Sequence, residues 1–217
     1  MQLFPRELNY LPLAVAVGIG GIVGPVATLG IWHYFSPKNT QVGYAPEQPI
    51  PYSHKLHADE LGIDCRYCHS NVERSQEAQI PATQTCMGCH AVVKKDSDQL
   101  AALRGSWASG NPVPWVRVHK LPDHAFFDHS AHLAAGVGCV SCHGRVDQME
   151  VVRQDQPLSM GFCLDCHRDP APHLRPKSEL TNMTWKPEGP SGDESAQAHE
   201  LAAAGVNPPE HCTGCHR

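Results

Sequence analysis

Cys65-Arg66-Tyr67-Cys68-His69 decides how this chain is read, because the same Cys-x-x-Cys-His spelling returns at Cys86–His90, Cys139–His143, Cys163–His167 and Cys212–His216. The five copies use all 10 cysteines. This is the spelling of c-type haem attachment. Two thiols form thioethers with the haem vinyl groups and the histidine ligates iron from one side. Positions i, i+3 and i+4 share one face of a helical turn, so both sulfurs and the imidazole reach one porphyrin. The sequence therefore predicts five covalently bound haem c groups on Cys65, Cys68, Cys86, Cys89, Cys139, Cys142, Cys163, Cys166, Cys212 and Cys215. The proximal ligands are His69, His90, His143, His167 and His216.

Two other readings compete. His54-x-x-His57 followed by Cys65-x-x-Cys68 would supply four tetrahedral zinc ligands. Zinc, however, has no need of a histidine directly after the second cysteine, five times over. A disulfide framework has no use for those histidines either, and the motifs leave no cysteine to staple anything.

Composition sets the architecture. About 180 residues follow Phe35, so each haem has roughly 36 residues of chain, too few for a side-chain core of its own. The porphyrins must form much of the apolar interior. Aromatic content of 6% and 19 prolines fit a loop-rich wrapper. The expected fold class is a multihaem cytochrome c: mostly short α-helices and irregular loops around stacked haems, with one N-terminal transmembrane helix. A formal charge of -5 and the lack of a basic stripe argue against a nucleic-acid partner.

Leu11 to Trp32 reads LPLAVAVGIGGIVGPVATLGIW, without a charged residue. At 1.5 Å per residue it spans about 33 Å, enough for a bilayer. Tyr10, Trp32 and Tyr34 stand where interfacial aromatics belong. The run exceeds the roughly 7–15 apolar residues of a signal peptide, so an uncleaved anchor is expected. Its small residues, Gly18, Gly20, Gly21 and Gly24, suit packing against other helices, and Pro25 predicts a kink. Haem attachment takes place outside the bacterial inner (cytoplasmic) membrane, so a single pass puts the N-terminus in the cytoplasm and the haem domain on the periplasmic or outer face. The expected division is an anchor over 1–35, a linker over 36–50 and a pentahaem domain over 51–217. Short helices are expected over Ser97–Leu103 and Glu194–Ala204, with an extended segment near Trp115–Leu121.

The haem domain repeats internally. His54-Lys55-Leu56-His57 precedes Cys65 and a second motif follows at Cys86. His129-Ser130-Ala131-His132 precedes Cys139 and a second motif follows at Cys163. Residues i and i+3 share a helical face, so one short helix can ligate two neighbouring haems. By chain order, His54 goes to the haem on Cys65/Cys68, His57 to that on Cys86/Cys89, His129 to that on Cys139/Cys142 and His132 to that on Cys163/Cys166. Met160 and His119 compete for the fifth iron, on Cys212/Cys215. His33 reads as interfacial, and His124, His173, His199 and His211 as surface residues.

Four stretches carry a family likeness: PYSHKLHADELGIDCRYCHS (51–70), IPATQTCMGCHA (80–91), WVRVHKLPDHAFFDHSAHLAAGVGCVSCHG (115–144) and PLSMGFCLDCHR (157–168). Together they resemble the pentahaem cytochrome c subunit of bacterial alternative complex III, a quinol:electron acceptor oxidoreductase. Locally they are also similar to c7-type multihaem cytochromes, where a ligand just before the second motif serves the last haem; this likeness favours Met160. His124 departs from the pattern, which has an aromatic residue there, and adds a rival. The resemblance implies a respiratory or photosynthetic electron relay rather than a catalyst on its own. It implies an iron–sulfur subunit, polytopic quinol-binding subunits, a monohaem cytochrome c and a soluble electron acceptor as partners. Two other functions stand beside it. One is a small multihaem quinol dehydrogenase feeding a periplasmic reductase. The other is a catalytic multihaem reductase, which needs an open iron position; all five motifs here end in histidine.

Overall fold

The computed structural model describes residues 5–186 and 205–216. The chain divides into two compact units, Met1–Gln41 and Val42–Arg217. The first is built on one long helix, α1 (Arg6–Tyr34), of 29 residues and mean hydropathy 2.0, long and apolar enough to cross a membrane. It is not α-helical throughout. Ile19–Val23 is a π-helical turn, where the Gly24 N–H donates to the Ile19 carbonyl five residues back. Pro25 lies immediately beyond; its ring has no N–H to give and crowds the carbonyl four residues before it. Widening the preceding turn relieves that clash, so the expected irregularity at Pro25 takes the form of a π-bulge. A one-turn helix, α2 (Pro37–Thr40), closes this unit.

The second unit contains no strand among the described residues, only isolated bridges at Ala125–His216 and Val137–Leu174. Its helices are short: α3 (Lys55–Glu60, π-helical), α4 (Cys65–Cys68), α5 (Thr83–His90), α6 (Ala101–Ser109), α7 (His129–Ala135), α8 (Val140–His143), α9 (Met160–Arg168) and α10 (Cys212–Cys215). Each attachment motif coincides with one of α4, α5, α8, α9 or α10. Two small apolar clusters join them. Ile50, Leu103 and Val113 pack with Met87, Leu100 and Trp115. Val72, Leu133 and Leu180 pack with Ala78. Clusters this small leave the interior to be completed by another apolar body, as the chain-per-haem ratio requires.

Three local expectations are refined. The linker expected over 36–50 is structured: α2 occupies part of it, and its second half is tied down. Gly43 N–H donates to the Gln154 carbonyl at 2.8 Å, and the Gln48 amide pairs both ways with Val116 at 2.9 Å. The helix expected over Ser97–Leu103 runs on through Gly105 to Ser109, where Gly110 stops it at φ 74°. Ser106 holds that last turn, bridging to Thr83 at 2.7 Å and to the Asn111 carbonyl at 2.6 Å. The helix expected over Glu194–Ala204 lies outside the described residues.

Candidate haem-binding site

Three of the histidine pairs that the sequence predicts are brought close together. Ring centroids of His57 and His90 stand 6.2 Å apart, those of His132 and His167 6.1 Å, and those of His129 and His143 6.4 Å with planes only 9° apart. Two imidazoles sharing one metal at bonds of about 2.0 Å have centroids about 6.3 Å apart. The rings thus leave the gap that one iron fills. For His54, burial lowers the pKa to about 4, and His69 is the neighbouring group that lowers it most.

The other ring nitrogen of nearly every one of these histidines is taken. Among proximal residues, Nδ1 donates from His69 to the Gln79 carbonyl at 2.7 Å, from His90 to Val93 at 3.0 Å, from His167 to Pro209 at 2.7 Å and from His216 to His124 at 3.2 Å. Among the paired residues, His57 donates to Ser53 at 2.8 Å, His129 to Gln76 at 2.8 Å and His132 to Asp128 at 2.7 Å. A proton held on Nδ1 leaves Nε2 bare for a metal and fixes the ring's orientation. Burial also lowers the pKa of His132, and that of His143 to about 3, so both rings are neutral, as ligation requires.

These carbonyls lie in loops that side-chain motifs do not reveal. A signal exists in the backbone instead. The described non-glycine residues with positive φ are Gln79, Lys94 and Leu158. Gln79 holds His69, Lys94 follows the Val93 that holds His90, and Leu158 precedes Met160. Sparsely allowed backbone persists where surroundings impose it, typically at functional sites.

The motifs are contiguous. The Cys65 and Cys139 thiols share a hydrogen bond, which pushes Cys65 up and Cys139 down. Burial and then Cys86 raise Cys68. Burial followed by Cys166 and Cys163 takes Cys142 up to about 11, and burial and then Cys215 raise Cys163. Thiols of different motifs thus sense one another: Cys68 and Cys86, Cys65 and Cys139, Cys142 and Cys163/Cys166, Cys163 and Cys215. All ten cysteines are free of disulfides, and among the described residues no three His, Cys, Asp or Glu side chains converge on one point.

His216 and the two contenders for its iron are arranged unevenly. Met160 opens α9 behind the Ser159 cap, three residues from Cys163, and is 65% exposed. His119 stands elsewhere, with its Nε2 3.4 Å from Nδ1 of His143. His124 comes closest to His216, its ring 5.6 Å away and 26° from parallel. Yet its own carbonyl takes the His216 Nδ1 proton. Nδ1 and Nε2 point to nearly opposite sides of an imidazole, and a histidine's ring stays within one side-chain length of its carbonyl. His124 therefore sits beside His216, not across an iron from it.

Residues 34–107 match the model of the class III cytochrome c family. Over 182 aligned residues the chain is 30% identical to the multihaem cytochrome c subunit of menaquinone reductase from Nitratidesulfovibrio vulgaris, covering 79% of this chain and 77% of that one. That family holds covalently bound haem c, and the free thiols, bare Nε2 atoms and facing rings fit the group. The chain belongs to the multihaem class III cytochromes c.

Proposed function

We propose that this chain is a membrane-anchored pentahaem cytochrome c that relays electrons from quinol oxidation to a periplasmic acceptor, as a subunit of an alternative complex III. The observation that carries the reading is the set of histidine pairs standing at the separation of two rings on one iron. A series of closely spaced one-electron centres is a conductor, and none of its members needs an open ligand position. When bound, haem c supplies reversible one-electron oxidation and reduction. The protein's part is to hold and tune. His54 with His69, His57 with His90, His129 with His143 and His132 with His167 would hold four haem irons. Met160 with His216 would hold the fifth, a reading supported by the exposure of Met160 and by Cys163, on the same helix, sensing Cys215. A thioether favours ferrous iron relative to a second imidazole, which marks that centre as the high-potential end.

In this reading α1 anchors the chain in the inner membrane with its N-terminus cytoplasmic. Its partners are polytopic quinol-binding subunits, an iron–sulfur subunit, a monohaem cytochrome c and a soluble acceptor. The name of the Nitratidesulfovibrio relative favours a second reading, in which a similar relay delivers electrons toward a quinone. Purification in mild detergent decides between them. Identification of co-purifying chains, a pyridine haemochrome assay and intact mass should give five haems and polytopic partners. Added quinol should reduce the haems. Fewer than five haems would sink the count. Haems that reduce added quinone but take no electrons from quinol would favour the second reading.

A further inference from the structure

We infer that His119 is a positioning residue for His143, setting the potential of the haem on Cys139/Cys142 without touching its iron. The inference rests on the reading of His143 and His129 as that iron's axial pair. His69, His90, His167 and His216 all give their Nδ1 proton to a backbone carbonyl, at 2.7 to 3.2 Å. At His143 the partner is a side chain, the Nε2 of His119, at 3.4 Å.

The geometry separates this role from ligation. The His129 ring stands 6.4 Å from His143 in a nearly parallel plane, the arrangement of two ligands across a metal. His119 instead meets His143 at 4.5 Å between centroids and 81° between planes, edge to face. Its nitrogen approaches the side of His143 that a ligand histidine uses for outer contacts. His119 is itself fixed from behind, since Arg117 Nε donates to its carbonyl at 3.1 Å.

The consequence follows from ligand chemistry. A neutral imidazole has one donor and one acceptor nitrogen, so His119 Nε2 can take the His143 proton. Such acceptance makes the ligand more basic. A more basic ligand favours ferric iron and lowers the potential. A side-chain acceptor also makes this potential accessible to a single substitution, which a backbone carbonyl does not. The contact further holds His143 in plane with His129.

The test uses the full-length holoprotein in detergent, comparing wild type, His119→Gln, His119→Phe and Met160→Ala by spectroelectrochemical titration and low-temperature EPR. His119→Phe should keep five low-spin haems while moving one redox step upward and changing the EPR signal of one centre. His119→Gln, whose amide oxygen still accepts, should lie between it and wild type. Met160→Ala should leave that step in place and turn a different haem high-spin. A high-spin haem in His119→Phe would make His119 an axial ligand and overturn the inference. An unmoved titration in His119→Phe would overturn it too, leaving His119 as packing. Wild type with fewer than five low-spin haems would instead count against the underlying ligand assignment.

Discussion

The two His-x-x-His units make the same site by different means. Each starts with an aromatic ring two residues ahead of the first histidine. Tyr52 stands edge-on to His54 at 4.8 Å and stacks on His57 at 4.5 Å. Phe127 does the same for His129 at 4.7 Å and His132 at 4.5 Å. Each continues with a side-chain cap: Ser53 Oγ accepts from Leu56 N–H, and Asp128 Oδ1 from Ser130 N–H. There the likeness ends. His54 lies eleven residues before Cys65, whereas His129 lies ten before Cys139. The extra residue is absorbed by making α3 a π-helix, in which Leu61 N–H reaches back five residues to Leu56, while α7 stays α-helical. A π-bulge is how a helix accepts one more residue without turning its ligands away.

The outer contacts differ as well. His129 gives its Nδ1 proton to Gln76, in the loop of the first unit, and Ser130 N–H goes to Ser75 in the same loop. In His54, the equivalent residue, the Nδ1 atom is buried without a hydrogen-bond partner. The His-x-x-His spacing is thus shared by the two units, while the hydrogen bonds around it differ. The second unit takes its carbonyl acceptors from Gln76 of the first unit, from Asp128 and from Pro209, and its His143 contacts His119.

The sharpest break between the units comes just after the proximal histidine. Gly144 follows His143 at φ 60° and ψ -158°, a region that only glycine enters readily. A Cβ there would also run into the Asp155 carboxylate. In the first unit the same place is Ser70, outside the left-handed region. Gly144→Ala should destabilise the second unit by more than about 3 kcal/mol and yield protein short of haem. Ser70→Ala should shift stability by no more than about 0.5 kcal/mol. Haem-to-protein ratio and thermal melting read both. Equal tolerance would mean that the glycine is incidental.

A deletion probes the π-turn. Removing Asp59, exposed on α3, gives the first unit the spacing of the second. The chain should fold with all its haems and with α3 converted to an ordinary α-turn. Removing Ala134 from α7 takes a residue that helix cannot spare, and His132 should lose its haem. The pyridine haemochrome assay separates them. Loss of haem from the Asp59 deletion would show that the widened turn is required rather than accommodated.

Much of this was legible in the letters. The five motifs, the register of the two units and the apolar N-terminal run are patterns of side-chain identity, and side chains carry that chemistry. The one-residue difference between the units was visible too, as a spacing, though nothing in the sequence says which turn absorbs it. The acceptors were not legible. Gln79, Val93, Pro209 and Gln76 act through backbone carbonyls, which every residue has. His119 and Met160 both stand as contenders for the fifth iron in the sequence, because histidine identity does not tell a ring that binds iron from a ring that holds its neighbour. His124 looked like a rival for the same reason, and only the position of its carbonyl places it beside His216. The helix expected over Ser97–Leu103 runs longer, because Ser106 and Gly110 carry α6 on to Ser109.

The smallest difference lies at the motif starts. Asp64 caps α4, accepting from Arg66 N–H at 2.8 Å and pairing with its guanidinium at 2.9 Å. Thr181 adds a hydrogen bond at 2.9 Å. The equivalent residue before Cys139 is Gly138, which has no side chain to cap with and leaves room for Arg175 instead. The Arg66 hydrogen bond takes the Asp64 pKa down to about 2. A carboxyl depressed in the folded state lends stability that is present above its unfolded pKa of about 3.9. That stability is lost as pH falls through the folded value. The first unit should therefore loosen between about pH 4 and pH 2. Asp64 is partly exposed, so the effect is modest. Asp64→Ala should cost about 1 kcal/mol, the usual worth of such a cap. Asp64→Asn should keep the cap and flatten the acid dependence, because its amide oxygen still accepts but no longer titrates. Acid titration of the low-spin haem spectrum, wild type against Asp64→Asn, reads the difference. Identical acid curves for the two proteins would show that the cap works through geometry and not through charge.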